Sequence, residues 1–364
     1  RRALLLALSG LFVAAIAWRW WYARELPLTN DEGNYLYDAW TLLHGKLAGG
    51  DGYVKAPLFI TWIALWQFLF GHTVLAGRLA SLFISSLTLW PLYVLGMSLW
   101  NRRAGLLTAA LWAVTGVAVV FGIYVHTQPV ALFFAVAGIA GMVYALRRDG
   151  TAWHFLTAGA LLGLGVASRK SVLAVGLVPL VMLLTGAESW KKRLLQLAWV
   201  GAGFLAMIAV FLSLAYGMYG TMGVREAIGI GSAEDSISAD PAQAEQVREY
   251  SIRGMTPFFR ESLPLILLSL IGLGVAGERL FKRSLQPVMA KLAWLAPAIV
   301  FWWAWWFFFE YEGSAFQRFG ILQLWYLFIP VLLLVALYSE RKSEKIRVAA
   351  YLTVPLWVLG LVTF

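Results

Sequence analysis

The sequence predicts an all-α, polytopic membrane protein, and three observations lead to this fold class. Hydrophobic residues make up 61% of the 364 positions and charged residues only 13%, whereas a soluble domain has about 25% charged residues. Apolar runs of about 20 residues, long enough to cross a bilayer as helices, recur along the chain. Many of the 19 Trp and 14 Tyr residues lie at the ends of these runs, as in the aromatic belts of membrane proteins.

The apolar runs predict about eleven transmembrane helices. Segment 57–70 is also apolar, but it is only about 14 residues long, so we predict a re-entrant or interfacial helix there. The predicted spans are 3–22, 75–99, 104–123, 128–146, 152–167, 171–187, 194–217, 262–281, 288–308, 319–338 and 347–364.

The distribution of charge supports this threading. With the N-terminus inside, the inside loops hold 17 of the 29 Lys and Arg residues but 5 of the 19 Asp and Glu residues. Cytoplasmic loops carry such an excess of positive charge, so we expect a multi-pass protein of the plasma (inner) membrane. The net charge of +10 arises from these small clusters and does not indicate nucleic acid as a partner.

We predict one domain over residues 1–364, with two long outer loops at 23–56 and 218–260 and no separate soluble domain. The first apolar run has no cleavage site before the next polar segment and is read as a retained helix. The chain contains no cysteine, which excludes disulfides and thiolate metal sites. No internal repeat is visible, which weighs against a transporter built from repeats.

The first outer loop contains the residues best placed for chemistry. Thr29 and Glu32 have the spacing of a capping box, which predicts a short helix that continues to Leu43. Its apolar residues share one face, so we predict an amphipathic, interfacial helix that lies on the membrane surface. Glu32 therefore has two interpretations, helix capping or substrate binding. Asp31 is not needed for the cap and directly follows the first span, and a carboxylate at the mouth of a dry cavity can act as a general base.

Other polar residues have competing interpretations. Lys55 before Pro57 either meets a phosphate or snorkels to lipid headgroups. The four histidines include no His-x-x-x-His pair. Asp31, Glu32 and Asp51 carry oxygen ligands suited to a divalent cation, which we regard as a possible cofactor. However, Asp31 is also the candidate for the general base, and Glu32 is also the candidate for the helix-capping residue.

Several short motifs occur in the same order as in a known family. They are Asp31-Glu32, Lys55-Ala56-Pro57-Leu58, Phe70-Gly71 with Arg78-Leu79-Ala80-Ser81, the segment 122–129, Gly165 to Lys170, and Gln317-Arg318-Phe319 with Pro330. In order and spacing they resemble the GT-C membrane glycosyltransferases, in the branch of aminoarabinose transferases and protein-O-mannosyltransferase-like enzymes.

The resemblance implies a GT-C fold and an inverting transfer of a sugar from a polyprenyl-phosphate donor to a hydroxyl or amine of a lipid, glycan or protein. The site would face the periplasm or exterior, with Asp31 as the catalytic base. Cations near the departing lipid phosphate would stabilise its charge. The implied substrate- and phosphate-binding residues are Glu32, Tyr35, Lys55, His126, Gln128, Arg169, Lys170 and Arg318. Membrane lipids are the remaining expected partners.

The sequence departs from the family pattern at Gln128, where relatives often carry Asp or Glu. A glutamine can form hydrogen bonds with a sugar but cannot act as a base, and His126, two residues earlier, is an alternative proton acceptor. Two other functions therefore stay open, namely a transporter or flippase of lipid-linked sugars and a catalytically inactive GT-C subunit.

Overall fold

A computed structural model describes residues 2–45, 56–99, 101–114, 116–169, 172 and 189–228. Helices account for nearly all of these residues, and no strand occurs among them. The longest of these helices, Trp190–Ile228, has a kink at Gly220. In chain order the helices are α1 (Arg2–Glu25), α2 (Asn30–Leu43), α3 (Pro57–Phe70), α4 (Val74–Leu87), α5 (Leu89–Leu99), α6 (Arg102–Val114), α7 (Gly116–Phe121), α8 (Thr127–Arg147), α9 (Ala152–Ser168) and α10 (Trp190–Ile228).

In the part of the chain that the structure describes, four stretches of helix are long and apolar enough to cross a membrane. They coincide with the predicted spans 3–22, 75–99, 128–146 and 194–217, and they extend over Leu4–Glu25, Val74–Ser98, Thr127–Arg147 and Trp190–Gly217.

Other predicted segments form shorter helices or lie outside the described residues. The 17-residue helix α9 covers predicted span 152–167, and α6 with α7 covers predicted span 104–123 as far as Phe121, apart from residue 115. α3 has the 14 residues predicted for segment 57–70, while its re-entrant or interfacial placement stays a prediction. Span 171–187, apart from residue 172, lies outside the described residues, as do the four spans from 262 onward and outer loop 218–260 beyond residue 228.

The two ends of α8 carry different polar groups. Past its C-terminal end, Asp149 Oδ1 lies 3.6 Å from Lys192 Nζ at the start of α10. The N-terminal end of α8, about 30 Å away for a helix of this length, meets the start of α2 and the end of α9. This arrangement agrees with the predicted order of membrane crossings, in which segments 147–151 and 189–193 lie on the same, inner side of the membrane.

A buried arginine joins α1 to α6 and α7. Arg19 is 0% exposed, and its guanidinium donates to the carbonyl oxygens of Ala15, Trp112, Ala113 and Ala118 at 3.2–3.5 Å. Backbone carbonyls thus compensate a charge that would otherwise be costly inside a membrane protein.

Helices α2, α3, α4 and α8 share an apolar core. Phe59, Ile60 and Ile63 of α3 are at most 1% exposed, and they pack with Tyr35 and Ala39 of α2 and with residues of α4 and α8. In a lipid environment, close van der Waals packing of such side chains holds helices together. The core thereby fixes α2 against α3 and α4.

Helices α9 and α10 approach closely through glycine. A Cβ added at Gly159 of α9 would collide with the Val200 carbonyl, and one added at Gly203 of α10 would collide with the Leu156 carbonyl. Small residues at such crossings allow membrane helices to pack backbone against backbone.

We expect Gly159→Leu to separate α9 from α10, because the nearest neighbour of the new side chain is backbone. Overpacking of this kind costs about 1–3 kcal/mol, and thermal unfolding in detergent measures it. Gly10→Leu is the matched control, since no atom lies within 4 Å of a Cβ at Gly10. Equal unfolding temperatures for the two variants would contradict the close packing.

Candidate active site

Arg78 of α4 is the centre of the polar cluster at the start of α8. Its Nε donates to Glu32 Oε1 at 3.0 Å and its Nη2 to Glu32 Oε2 at 2.9 Å. Three carbonyl oxygens at the end of α1 accept the remaining bonds at 2.8 Å, those of Ala23, Leu26 and Pro27. A guanidinium has five N–H groups, so every donor of Arg78 is used within the protein.

Glu32 is fully buried and equally well satisfied. Thr29 N donates to its Oε2 at 3.1 Å and Val125 N to its Oε1 at 3.1 Å. Glu32 N in turn donates to Thr29 Oγ1, which confirms the predicted capping box. Each carboxylate oxygen therefore receives two bonds from the protein. This geometry gives Glu32 a positioning role, and its contact with substrate stays a prediction.

Asp31 has a very different environment from its neighbour. Its side chain is 35% exposed, and its Oδ2 lies 4.0 Å from Nδ1 of the buried His126. This distance is too long for a direct hydrogen bond, but the two groups still interact electrostatically. Asp31 is thus a carboxylate that solvent or a substrate can reach, beside a buried imidazole.

His126 is the N-cap residue of α8. Burial lowers the pKa of His126 below its ordinary value; the carboxylates of Asp31 and Glu32 raise it in part, and Arg169 lowers it further. The imidazole is therefore neutral at neutral pH, and a neutral imidazole can accept a proton.

Arg169 brings a cation to the same place. It is the C-cap residue of α9, and its Nη1 donates to Thr127 Oγ1 in the first turn of α8 at 3.2 Å. The N-terminus of α8 carries the partial positive charge of the helix dipole. Arg169 and the start of α8 therefore make one electropositive corner, and the buried Gln128 lies in that first turn.

Tyr35 lies one turn after Asp31 on α2 and is buried. Its ring is 6.0 Å from the His126 ring and 5.0 Å from the Phe59 ring, in edge-on contacts. The structure thus brings six predicted site residues to one region, Asp31, Glu32, Tyr35, His126, Gln128 and Arg169. Lys55, Lys170 and Arg318 lie outside the described residues.

Asp38 is a further carboxyl that the sequence analysis missed. It follows Asp31 by seven residues, which places both on one face of α2. Its Oδ2 is buried and has no hydrogen-bond partner in the described part of the chain. Burial raises the pKa of Asp38 to about 6. In the sequence, the i, i+4, i+7 spacing of Asp31, Tyr35 and Asp38 already indicates that the three side chains share one face of a helix.

The predicted divalent cation stays a prediction. Among the residues that the structure describes, no group of three or more His, Asp or Glu residues is arranged to hold a metal ion. Asp51, one of the three carboxylates considered for it, lies outside those residues.

Residues 54–215 match the family model described as dolichyl-phosphate-mannose-protein mannosyltransferase. The predicted resemblance to GT-C membrane glycosyltransferases is confirmed. The match covers the helices from α3 to most of α10, so the electropositive corner lies within it, while Asp31 precedes it.

Curated relatives agree with this match. The undecaprenyl phosphate-alpha-4-amino-4-deoxy-L-arabinose arabinosyl transferase of Pseudomonas aeruginosa is 30% identical over 215 residues, which cover 51% of this chain and 36% of that enzyme. The corresponding enzyme of Pectobacterium atrosepticum is 29% identical over 171 residues, which cover 46% of this chain and 30% of that enzyme. The chain thus spans about a third of the length of these relatives.

Solved structures show the fold. The crystal structure of the Archaeoglobus fulgidus oligosaccharyltransferase in the apo form has a TM-score of 0.63 and 14% identity, with 99% of this chain and 55% of that chain covered. The same enzyme in complex with an inhibitory peptide and a dolichol-phosphate has a TM-score of 0.61 at 14% identity, with the same coverage. This chain therefore shares the fold of the matching part of that enzyme, whereas the count of eleven spans stays a prediction.

We expect Arg78→Lys to destabilise the protein strongly, although it keeps the charge. Lysine is a compact cation with three donors and cannot reproduce the five-donor fork. Breaking a buried ion pair costs about 3–5 kcal/mol, which thermal unfolding in detergent measures. Arg24→Lys is the control, because Arg24 is exposed and lies over the Trp20 ring. Similar losses in both variants would contradict the central role of Arg78.

We expect Asp38→Asn to stabilise the protein at pH 8 by a few degrees in unfolding temperature. Because the pKa of Asp38 rises from an ordinary 3.8 to about 6 on folding, the folded chain binds its proton more tightly. The free-energy cost of ionising the buried carboxyl in the folded chain therefore grows as the pH rises between these two values, and it is fully present above them. The difference between variant and wild type should vanish near pH 4.

Asp149→Asn is the matched control for this experiment. The side chain of Asp149 is 88% exposed, and its positive φ of 48° is a conformation that asparagine also adopts. A pH-independent difference for Asp38→Asn, or the same pH profile in both variants, would show that burial of Asp38 does not control stability.

Proposed function

We propose that this protein is an inverting glycosyltransferase that moves a sugar from a polyprenyl-phosphate donor to an acceptor hydroxyl or amine. The acceptor belongs to a lipid, glycan or protein. The observation that carries the proposal is the juxtaposition of three groups, the accessible carboxylate of Asp31, the buried neutral imidazole of His126 and the guanidinium of Arg169.

Asp31 is the proposed general base. Its helix turn is held in place because Glu32, the next residue, is fixed by four hydrogen bonds from other parts of the chain. A base positioned in advance loses no entropy when the acceptor arrives, and such orientation supplies a large part of enzymatic rate enhancement. Its 35% exposure leaves room for the acceptor.

The reaction is a single displacement at the anomeric carbon of the sugar. The acceptor oxygen or nitrogen forms a bond to that carbon while the bond from the carbon to the phosphate oxygen breaks. The acceptor proton passes to Asp31, and polyprenyl phosphate leaves with the bonding electrons. Because attack and departure occur on opposite faces, the configuration inverts.

The electropositive corner stabilises the departing phosphate. Charge builds up on the phosphate oxygens in the transition state, and fixed positive groups there lower the barrier. Arg169 and the N-terminus of α8 provide such groups, and Lys55, Lys170 and Arg318 are the further cations that the family resemblance implies. Gln128 would hold the substrate by hydrogen bonds, since an amide cannot take a proton.

We place this site on the periplasmic or exterior side of the plasma (inner) membrane. The positive-inside pattern supports this orientation, as does the separation between the site and the Asp149–Lys192 pair at the opposite end of α8. Water-poor surroundings would strengthen the interactions with the phosphate and limit hydrolysis of the donor.

The undecaprenyl phosphate-linked aminoarabinose of the relatives' names suggests the first donor to test, with undecaprenyl-phosphate mannose as the second. In proteoliposomes with radiolabelled donor, Asp31→Asn should lower transfer by about 10²-fold or more, the usual contribution of a general base. Donor binding should persist, because asparagine keeps the size of the side chain. Asp149→Asn should transfer at the wild-type rate.

The outcomes separate the competing functions. Transfer that survives in Asp31→Asn would remove Asp31 from the mechanism. Donor binding without transfer in the wild type would favour an inactive GT-C subunit. Movement of intact donor across the bilayer without any new glycosidic bond would favour a transporter or flippase.

A further inference from the structure

Two histidines lie side by side at the far end of α2 from Asp31, and the proposed reaction uses neither. His44 is the C-cap residue of α2, and His72 lies between α3 and α4. Their ring centroids are 5.4 Å apart, with the planes inclined by 47°. Trp40 contacts both rings, at 4.4 Å and 6.4 Å. Both imidazoles are exposed.

The hydrogen bond of His44 fixes its tautomer. Its Nδ1 lies 2.8 Å from the carbonyl oxygen of Trp40. A carbonyl oxygen only accepts hydrogen bonds, so Nδ1 carries the proton. The neutral ring therefore has its free lone pair on Nε2.

The tautomer of His72 follows from two linked bonds. Gln67 Nε2 donates to the carbonyl oxygen of Leu36 at 3.0 Å, which fixes the orientation of the amide because only its nitrogen can donate. Gln67 Oε1 then lies 3.4 Å from His72 Nδ1 and accepts a hydrogen bond from its N–H group. His72 thus also has its lone pair on Nε2.

We propose that His44 and His72 form a two-histidine site for a transition-metal ion of the Zn²⁺ or Cu²⁺ class. Histidines that bind metals usually donate their other ring N–H to a carbonyl or carboxylate oxygen, and both residues do so here. Imidazole nitrogen suits these ions, whereas Mg²⁺ and Ca²⁺ prefer oxygen.

The spacing of the rings agrees with a shared ion. A metal–nitrogen distance of about 2.1 Å and a tetrahedral angle place the centroids of two ligating imidazoles about 5 Å apart. The observed distance of 5.4 Å between the ring centroids is close to this value, and both side chains are exposed. No third ligand of the described chain is grouped with them, so water completes the coordination and the affinity is moderate.

The bound ion would tie the end of α2 to the turn between α3 and α4. The start of α2 is already fixed by Glu32 and Arg78. A metal ion that binds the folded chain but not the unfolded chain stabilises the folded state by mass action. The proposal does not rest on glycosyl transfer, and its tests use no sugar substrate.

The test uses the whole 364-residue chain, purified with an affinity tag that contains no histidine. Calorimetric titration with Zn²⁺ should give one site, and Cu²⁺ should give an electron paramagnetic resonance spectrum with nitrogen ligands. His44→Gln and His72→Gln should each weaken binding by roughly tenfold or more, comparable to losing a supporting group at a metal site. Binding should also weaken as the pH falls, because protons compete for the same nitrogen.

His154→Gln is the matched control. His154 is also exposed, but its Nδ1 accepts a hydrogen bond from Thr151 N at 3.2 Å, so its Nε2 carries the proton. This variant should bind like the wild type. Equal affinity in the wild type, His44→Gln and His72→Gln would overturn the proposal, as would the absence of any binding to the wild type.

A second measurement needs no variant and therefore does not depend on whether a variant folds. Diethylpyrocarbonate modifies exposed imidazole nitrogens, and mass spectrometry locates the modified residues. Zn²⁺ should protect His44 and His72 together and leave His154 reactive. Protection of neither histidine, or of all three equally, would contradict a shared site.

Discussion

Arg78 and Glu32 form the ion pair on which the position of the other polar groups depends. A buried ion pair is costly unless its remaining donors and acceptors are satisfied. Here Arg78 uses all five donors, and Glu32 receives four bonds. The end of α1, the start of α2, α4 and the backbone at Val125 therefore meet at one point. Asp31 is the sequence neighbour of Glu32, and His126 is the sequence neighbour of Val125. The backbone of both residues is therefore held in place by this hydrogen-bond network.

Two adjacent carboxylates show how environment separates structural from chemical roles. Successive residues on a helix differ by about 100° in direction, so Glu32 faces Arg78 while Asp31 faces the start of α8. Glu32 is 0% exposed and Asp31 is 35% exposed. Solvent can therefore reach the carboxylate of Asp31, whereas the protein encloses that of Glu32, although the two have nearly the same chemistry.

Helix α2 connects the proposed site with the proposed metal site. Its first turn is held by the capping box and Arg78, its middle packs on α3 through Tyr35 and Phe59, and its last residues meet His72. Each contact restricts a different part of a 14-residue helix that would be marginal by itself. The orientation of Asp31 is thus a property of the packed helix.

The sequence by itself determined the membrane class, the four long apolar helices that coincide with predicted spans and the capping box at Thr29. These features follow from short-range patterns, because lipid requires a helix to satisfy its own backbone and a cap joins residues three apart. The family motifs also located Asp31, His126 and Arg169. Only the tertiary structure decided that Arg78 pairs with Glu32, 46 residues away, since that choice depends on how separate helices pack. The burial of Arg19 and of the Asp38 carboxyl became visible for the same reason: their surroundings come from several helices and no local spacing specifies them.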